Sequence, residues 1–504
     1  MTVRRPDPAQ LHKLASQNHF SIGNGELASY QALFERVMTN YDLLDLMTLS
    51  APAVRAGRRE SGSRPDAATN FCNAIVRRCQ VEGSGIGLLA GRRIGLKDSI
   101  CVAGVPLTCG SNVIEHVPSA DATIVSRILD EGGDVVAILN MDNLAFSGAG
   151  DTSVYGPTRN PHDDTRLAGG SSGGSAAALF SGEIDLTIGC DQAGSIRIPA
   201  SWCGVVGLKP TFSLVPYSGI LGYDLSFDHV GPMARNVSDV ARLLEVIAGA
   251  DGLDPRQRSV PRHSYMKALC RSDLKGVRIG VLRDGFGTDG GEADVDDTVR
   301  AAIDKMAELG ATVNEVQCAA HTTAGAIVWG AFAEGVTATF HSSGQGHHWS
   351  GRYDPDLALS FGSGMQLRGE ALPLQAKFNL LLGTYMRENY HGSFYGKAQN
   401  LRADLRSAYD ALLVDNDLLI TPTTPMKAHR HDPSLNAESL VVAGWNMVAN
   451  TAPFNMTGHP SLSVPCGTSN GLPVGMTLTG RHFDDATLLS VAHVFEQAVS
   501  HSIE

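Results

Sequence analysis

Residues Gly169–Ser201, GGSSGGSAAALFSGEIDLTIGCDQAGSIRIPAS, decide how this chain is read. They open on four glycines and three serines, run into the small-residue apolar segment AAALF, and continue as DLTIGC, a strand pattern. A flexible Gly/Ser linker would not lead directly into such apolar segments. Asp191, Gly194 and Ser195 stand where that strand ends, the position at which α/β sheets place ligands and chemistry. Two serine-bearing loops therefore bracket one helix–strand unit and are able to meet in space.

The Gly-Ser loop supports some chemistries better than others. A phosphate-binding P-loop needs Gly-Lys-Ser/Thr, and Gly173-Gly174-Ser175 lacks the lysine. GxSxG fits twice, at Gly169-x-Ser171-x-Gly173 and Gly170-x-Ser172-x-Gly174, but a nucleophile elbow needs a buried strand leading into its serine. Here the polar, turn-forming PTRNPHDDTRLA precedes it. A seryl hydroxyl also needs a base. Of the 17 histidines, the nearest, His162, lies in a polar turn and reads as solvated. Lys97 closes the apolar Ile94-Gly95-Leu96 run, where burial would lower its pKa and allow the neutral amine to act as a base.

Outward from this core the pattern is α/β. DATIVSRILDEGGDVVAIL reads as an N-cap at Asp121, an amphipathic helix, a Gly-Gly stop and a buried strand over 134–139. KGVRIGVL followed by VDDTVRAAIDKMAELGATV repeats the order, with Val295, Val299, Ile303 and Met306 on one face and Gly310 at C′. NDLLITPTTP reads as a buried strand stopped at Pro422. These units predict a largely parallel or mixed sheet covered by helices. Residues 1–70 read as a helical N-terminal region, with Leu33, Phe34, Val37 and Met38 at helical spacing and GRRESGSRPD as a linker. Residues 318–400 carry no clear pattern.

Composition narrows the class of function. The chain has 504 residues, is 43% hydrophobic and 18% charged, and suits a globular protein with a large core. A net charge of −12 argues against a nucleic-acid partner. The absence of an apolar run of membrane length and the polar N-terminus predict neither membrane association nor a signal peptide. Nine cysteines without a CxxC pair read as reduced thiols in a cytoplasmic protein.

The spaced blocks GLKDSI, GGSSGGSAAA and GCDQAGSIRIPASWCGVVGLKPT resemble the amidase signature family. The likeness continues through FDHVGPMARNVSD, NDLLITPTTP, NTAPFNMTGHPSLSVP and GLPVGMTLTGRHFDDATLL, and covers nearly everything beyond residue 85. The wording is most similar to bacterial amidases associated with nitrile hydratases, the enantioselective amidases. That resemblance implies a large mixed sheet with helices on both faces over 71–504 and hydrolysis of a carboxamide to carboxylate and ammonia. By the same resemblance Ser195 is the nucleophile of an acyl-enzyme, and Ser171, after a cis peptide, relays its proton to Lys97. Ser172 supports the network, backbone N–H groups of Gln192, Ala193, Gly194 and Ser195 form the oxyanion hole, and Asp191 holds the loop. Phe146 and Asn450 align with the substrate pocket; Trp202 and Cys203 read as core.

No cofactor or metal is expected, since neither His347–His348 nor His429 with His431 forms an HExxH motif. A small-molecule amide is the expected partner, and a homodimer the expected assembly. Many family members carry Gly-Gly-Ser where this chain has Ala193-Gly194-Ser195, so a methyl either narrows the pocket or constrains φ. Two alternatives stay open: the glutaminase component of a tRNA-dependent amidotransferase, and a GxSxG esterase using Ser171.

Overall fold

The computed structural model describes residues 3–23, 25–50, 53–261, 263–347 and 350–500. Among them twelve strands form one mixed sheet. They are β1 (Arg59–Ser63), β2 (Ile75–Val81), β3 (Arg93–Lys97), β4 (Asp134–Leu139), β5 (Leu186–Asp191) and β6 (Val206–Lys209). The series continues with β7 (His229–Ala234), β8 (Arg278–Leu282), β9 (Thr312–Val316), β10 (Leu418–Pro422), β11 (Ser461–Ser469) and β12 (Leu472–Gly480). The spatial order is β1-β2-β4-β3-β5-β7-β6-β11-β12-β10-β8-β9.

The crossover units set the parallel pairs. Strand β3 reaches the parallel β4 through helix Thr123–Asp130, and β8 reaches the parallel β9 through helix Ala293–Glu308. In the second helix Val295, Val299, Ile303 and Met306 are all buried, each contributing roughly 1.5–3 kcal/mol of apolar burial. Strands β11 and β12 instead form an antiparallel hairpin. Its two-residue turn is Asn470-Gly471, with φ of 52° and 78°, the left-handed values that a type I′ turn demands and that Asn and Gly tolerate. Pro422 is the last residue of β10, where a missing N–H does least harm to the ladder.

Alternation along the strands covers both faces. Ile94, Leu96, Leu186, Ile188, Leu418 and Ile420 enter the largest apolar cluster, together with helices Thr123–Asp130, Val237–Ile247, Ala293–Glu308 and Asp485–Ser500. Helices Gly173–Ala177 and Arg197–Cys203 join a second cluster, and Leu419 meets helix Ser393–Asp415 in another. Trp202 and Cys203 are fully buried.

Two local expectations change. Asp121 does not cap the helix, which starts at Thr123 after Ala122. Its carboxylate instead takes a bidentate pair from Arg59, at 3.0 and 2.6 Å, and the N–H of Ala103 at 2.8 Å. That anchor accounts for the second change: part of the stretch expected as a linker forms β1, an edge strand paired with β2. Contacts accordingly group the chain into residues 1–53 and 54–504.

In the smaller unit, Asp7 and Gln10 form a capping box on helix Pro8–Gln17, and helix Leu27–Leu46 exposes Leu33 and Val37. In the larger unit, residues 318–400 are mostly helical, in Ala319–His341, Pro355–Arg368 and Leu374–Tyr390. No helix among the described residues is long and apolar enough to cross a membrane.

Candidate active site

Parallel strands β3 and β5 are neighbours in the sheet and bring their C-terminal residues, Lys97 and Asp191, to the same edge. Lys97 is fully buried, and its Nζ donates to Ser171 Oγ at 2.7 Å, Ser172 Oγ at 2.9 Å and the Cys190 carbonyl at 3.4 Å. Ser172 Oγ donates to the same carbonyl at 3.1 Å. Burial lowers the Lys97 pKa from the usual lysine value, and the carboxylates of Asp142 and Asp191 oppose this only in part. The Gly170–Ser171 peptide is cis. Backbone bonds from Gly169 N–H to Ala149 and from Gly170 N–H to Gly148 seat the Gly-Ser loop against the segment carrying Phe146.

The second loop meets the first through the Ser172 N–H, which donates to the Ser195 carbonyl at 3.2 Å. Its shape is dictated by Asp191, whose carboxylate accepts the N–H of Gly194 at 2.7 Å and of Ile196 at 3.1 Å. Arg197, fully buried, donates to both carboxylate oxygens at 3.0 Å, and Asn455 Nδ2 adds a bond at 2.8 Å. Burial alone would raise the Asp191 pKa; the Arg197 charge and these hydrogen bonds outweigh it and hold the group at about 2. Gly194 has φ +134° and a Cβ there would overlap Thr451, so no side chain fits. Ala193 has no such backbone demand, since its φ is not positive; Thr451 Oγ1 donates to its carbonyl at 2.6 Å.

Beside Ser195 lies a narrow cavity that opens to solvent. Gln192, Ala193 and Ser195 line it together with Phe146, Tyr223, Phe332 and Trp445. The aromatic rings brace one another edge to face, Phe146 with Tyr223 and Phe332 at 6.2 Å and Phe332 with Trp445 at 5.3 Å. Among the described residues, no charged side chain lines the cavity.

Asn450 does not line it. Its amide donates to the carbonyls of Gly285 at 2.8 Å and Pro422 at 2.9 Å, and its Oδ1 lies 3.1 Å from His321 Nε2. The side chain ties a turn to the end of β10 and cannot also face a ligand. Residues that sequence reasoning missed include Tyr223, Phe332 and Trp445, brought in from distant segments. A charged Arg197 within the apolar IRIP was a usable signal for a buried ion pair.

The remaining candidates lie elsewhere. Among the described residues, no strand leads into Ser171. His162 is exposed and donates to the Cys203 carbonyl at 2.9 Å. His429 packs its ring against Trp202 and pairs with Asn446; His348 lies outside the described residues.

The Amidase family model matches residues 64–489. An enantioselective amidase of Rhodococcus rhodochrous is 37% identical over 503 residues, covering 98% of this chain and 96% of that protein. A glutamyl-tRNA(Gln) amidotransferase component from Moorella thermoacetica is 39% identical over 432 residues, covering 84% of this chain and 86% of that protein. Among solved structures, the native peptide amidase of Stenotrophomonas maltophilia superposes with a TM-score of 0.66 at 30% identity, over 82% of this chain and 84% of that one.

Proposed function

Since this chain belongs to the amidase signature family, we propose that it hydrolyses a small, uncharged carboxamide to carboxylate and ammonia through an acyl-enzyme on Ser195. The observation that carries this reading is a fully buried lysine hydrogen-bonded to Ser171 and Ser172, on a loop joined by backbone to Ser195. Desolvation favours the neutral amine, and a neutral Lys97 can draw a proton from Ser171 as Ser171 draws one from Ser195. The same pair then returns the proton to the departing ammonia. Water, activated by the reverse relay, releases the carboxylate.

The tetrahedral oxyanion needs preorganised donors, each worth about 3 kcal/mol. Gly194 N–H is already held by Asp191. The hole in this proposal is therefore built from the N–H groups of Gln192, Ala193 and Ser195, with Asp191, Arg197 and Asn455 as its rigid backing.

A glutaminase reading, as one component of a tRNA-dependent amidotransferase, remains the rival, since relatives named as amidotransferase components match at comparable identity. Glutamine carries an ammonium and a carboxylate, and a cavity lined by four aromatic rings without a charged side chain offers neither a partner. An uncharged acyl group suits it better. Ammonia release measured across aliphatic, aromatic and α-amino amides, with glutamine alongside, tests the proposal; hydrolysis of glutamine alone would replace it with the rival. An esterase acting through Ser171 would keep its turnover in Ser195→Ala. Nine unpaired cysteines support a reducing, cytoplasmic setting.

A further inference from the structure

Away from the Ser195 cavity, three side chains distant in sequence converge at the end of helix Ala452–Thr457. His459 Nε2 lies 3.1 Å and His482 Nδ1 3.8 Å from one oxygen, Asp410 Oδ1. All three atoms lie within 4.8 Å of one another. The ring nitrogens that face away are both held by Thr457: its carbonyl is 2.9 Å from His482 Nε2 and its hydroxyl 2.8 Å from His459 Nδ1.

A carbonyl only accepts, so His482 carries its proton on Nε2, and in the neutral ring Nδ1 presents a lone pair to a carboxylate oxygen. Two acceptors face each other across a gap too long for a hydrogen bond. A cation between them satisfies both. His459 can adopt the matching tautomer, giving its Nδ1 proton to the Thr457 hydroxyl and leaving Nε2 as a third donor.

We propose that Asp410, His459 and His482 form a binding site for a zinc-class divalent cation, separate from the amide-hydrolysing site. Metal–ligand bonds of about 2.0–2.1 Å in a tetrahedron put neighbouring ligand atoms roughly 3.3 Å apart. The 3.1 Å from Asp410 to His459 matches this, and His482, at 3.8 Å, would draw in on binding. Two imidazoles and one carboxylate select zinc, cobalt or nickel over calcium and magnesium, which prefer all-oxygen sets. The outer partners that metal sites need are in place. Thr457 holds both rings, and Arg406 Nε takes the other carboxylate oxygen, Asp410 Oδ2, at 3.4 Å. The His459 side chain is fully buried while that of Asp410 is 47% exposed, so the ion enters at the Asp410 rim. Arg406 and Lys209, whose Nζ donates to the His459 carbonyl, oppose the ion's charge and moderate its affinity. The bound ion would join helix Ser393–Asp415 to the segments carrying His459 and His482, which makes its role structural.

The test uses the whole chain, stripped with a chelator and titrated with Co²⁺ as a visible probe, then with Zn²⁺ as competitor. The expected result is one Co²⁺ per chain with d–d bands, displaced by Zn²⁺, and a Tm that rises on metal addition. Asp410→Asn and His482→Ala should lose bands, bound metal and the Tm rise, while His12→Ala keeps them. Asp410→Asn, isosteric and at a half-exposed side chain, decides the matter if His482→Ala fails to fold. Absence of stoichiometric cobalt, or unchanged binding in Asp410→Asn, overturns the site. A loss of amide hydrolysis on stripping the metal overturns its separation from the reaction.

Discussion

Lys97 Nζ stands 2.7 Å from Ser171 Oγ with both residues sealed from solvent. An ammonium there is penalised by burial, so the neutral amine becomes available below the ordinary lysine range. In the free enzyme kcat/KM should therefore rise with pH as Lys97 deprotonates and level off before that range is reached. Lys97→Met, permanently neutral but not basic, should lose about 10²–10⁴-fold with the fold retained. A pH–rate profile of wild type and mutant checks this; a mutant that keeps the wild-type limb removes Lys97 from the chemistry.

Ser195→Ala should abolish both amide turnover and labelling by a fluorophosphonate, because no other side chain would carry the acyl group. Ser171→Ala should lose about 10²–10⁴-fold yet still label slowly at Ser195. Mass spectrometry of the labelled protein locates the adduct, and finding it on Ser171 would reverse the two roles.

Ala193 belongs to the apolar cluster of Phe146 and Tyr223 and lines the cavity beside Ser195. With no positive φ to maintain, its methyl is expected to act through the space it fills in the cavity. Ala193→Gly should relax selectivity towards bulkier or α-branched acyl groups. One methyl contact is worth about 1–3 kcal/mol, so the ratio of kcat/KM for benzamide-like over acetamide-like substrates should rise roughly tenfold. Equal slowing of both substrates would assign the methyl to stiffening the loop.

Asp191→Asn leaves Arg197 buried beside a neutral amide, a change that costs about 3–5 kcal/mol of stability. The wild-type group titrates at about 2 when folded, below the ~3.9 of a free aspartate. Its contribution is thus complete above ~3.9 and is lost as pH falls towards 2. Urea unfolding followed downward from neutral pH should show a falling stability in wild type that is shallower in the mutant.

Asn450→Ala should behave as a structural change. Two buried carbonyls, of Gly285 and Pro422, lose their donor, so stability should drop by about 1–3 kcal/mol. The kcat/KM ratios across the amide panel should stay as they are. A shift in those ratios without loss of Tm would return Asn450 to the pocket.

The legible parts of this chain are those whose physics is local. Helix Ala293–Glu308 and strand β4 follow from a 3.6-residue stripe and an apolar run, and Lys97 after Ile94-Gly95-Leu96 is conspicuous because a charge rarely ends a buried strand. Asn470-Gly471 is an equally local hairpin signal. Residues 318–400 resisted because Ala319–His341 is apolar around most of its circumference and is buried against several elements at once, which erases any stripe.

The sequence by itself determined the α/β units, the order of the serine loops and the chemical types at Lys97, Ser171 and Ser195, since these depend on residues close in the chain. Only the tertiary structure decided what those groups touch. Asp121 left its helix cap because Arg59 arrived from 62 residues away, and Asn450 left the pocket because two carbonyls from other segments claimed its amide. Phe332 and Trp445 became cavity walls, and Asp410 met His459 and His482, by the same route. Each such outcome depends on partners separated by tens to hundreds of residues, and burial makes a polar group take whichever partner the packed chain delivers.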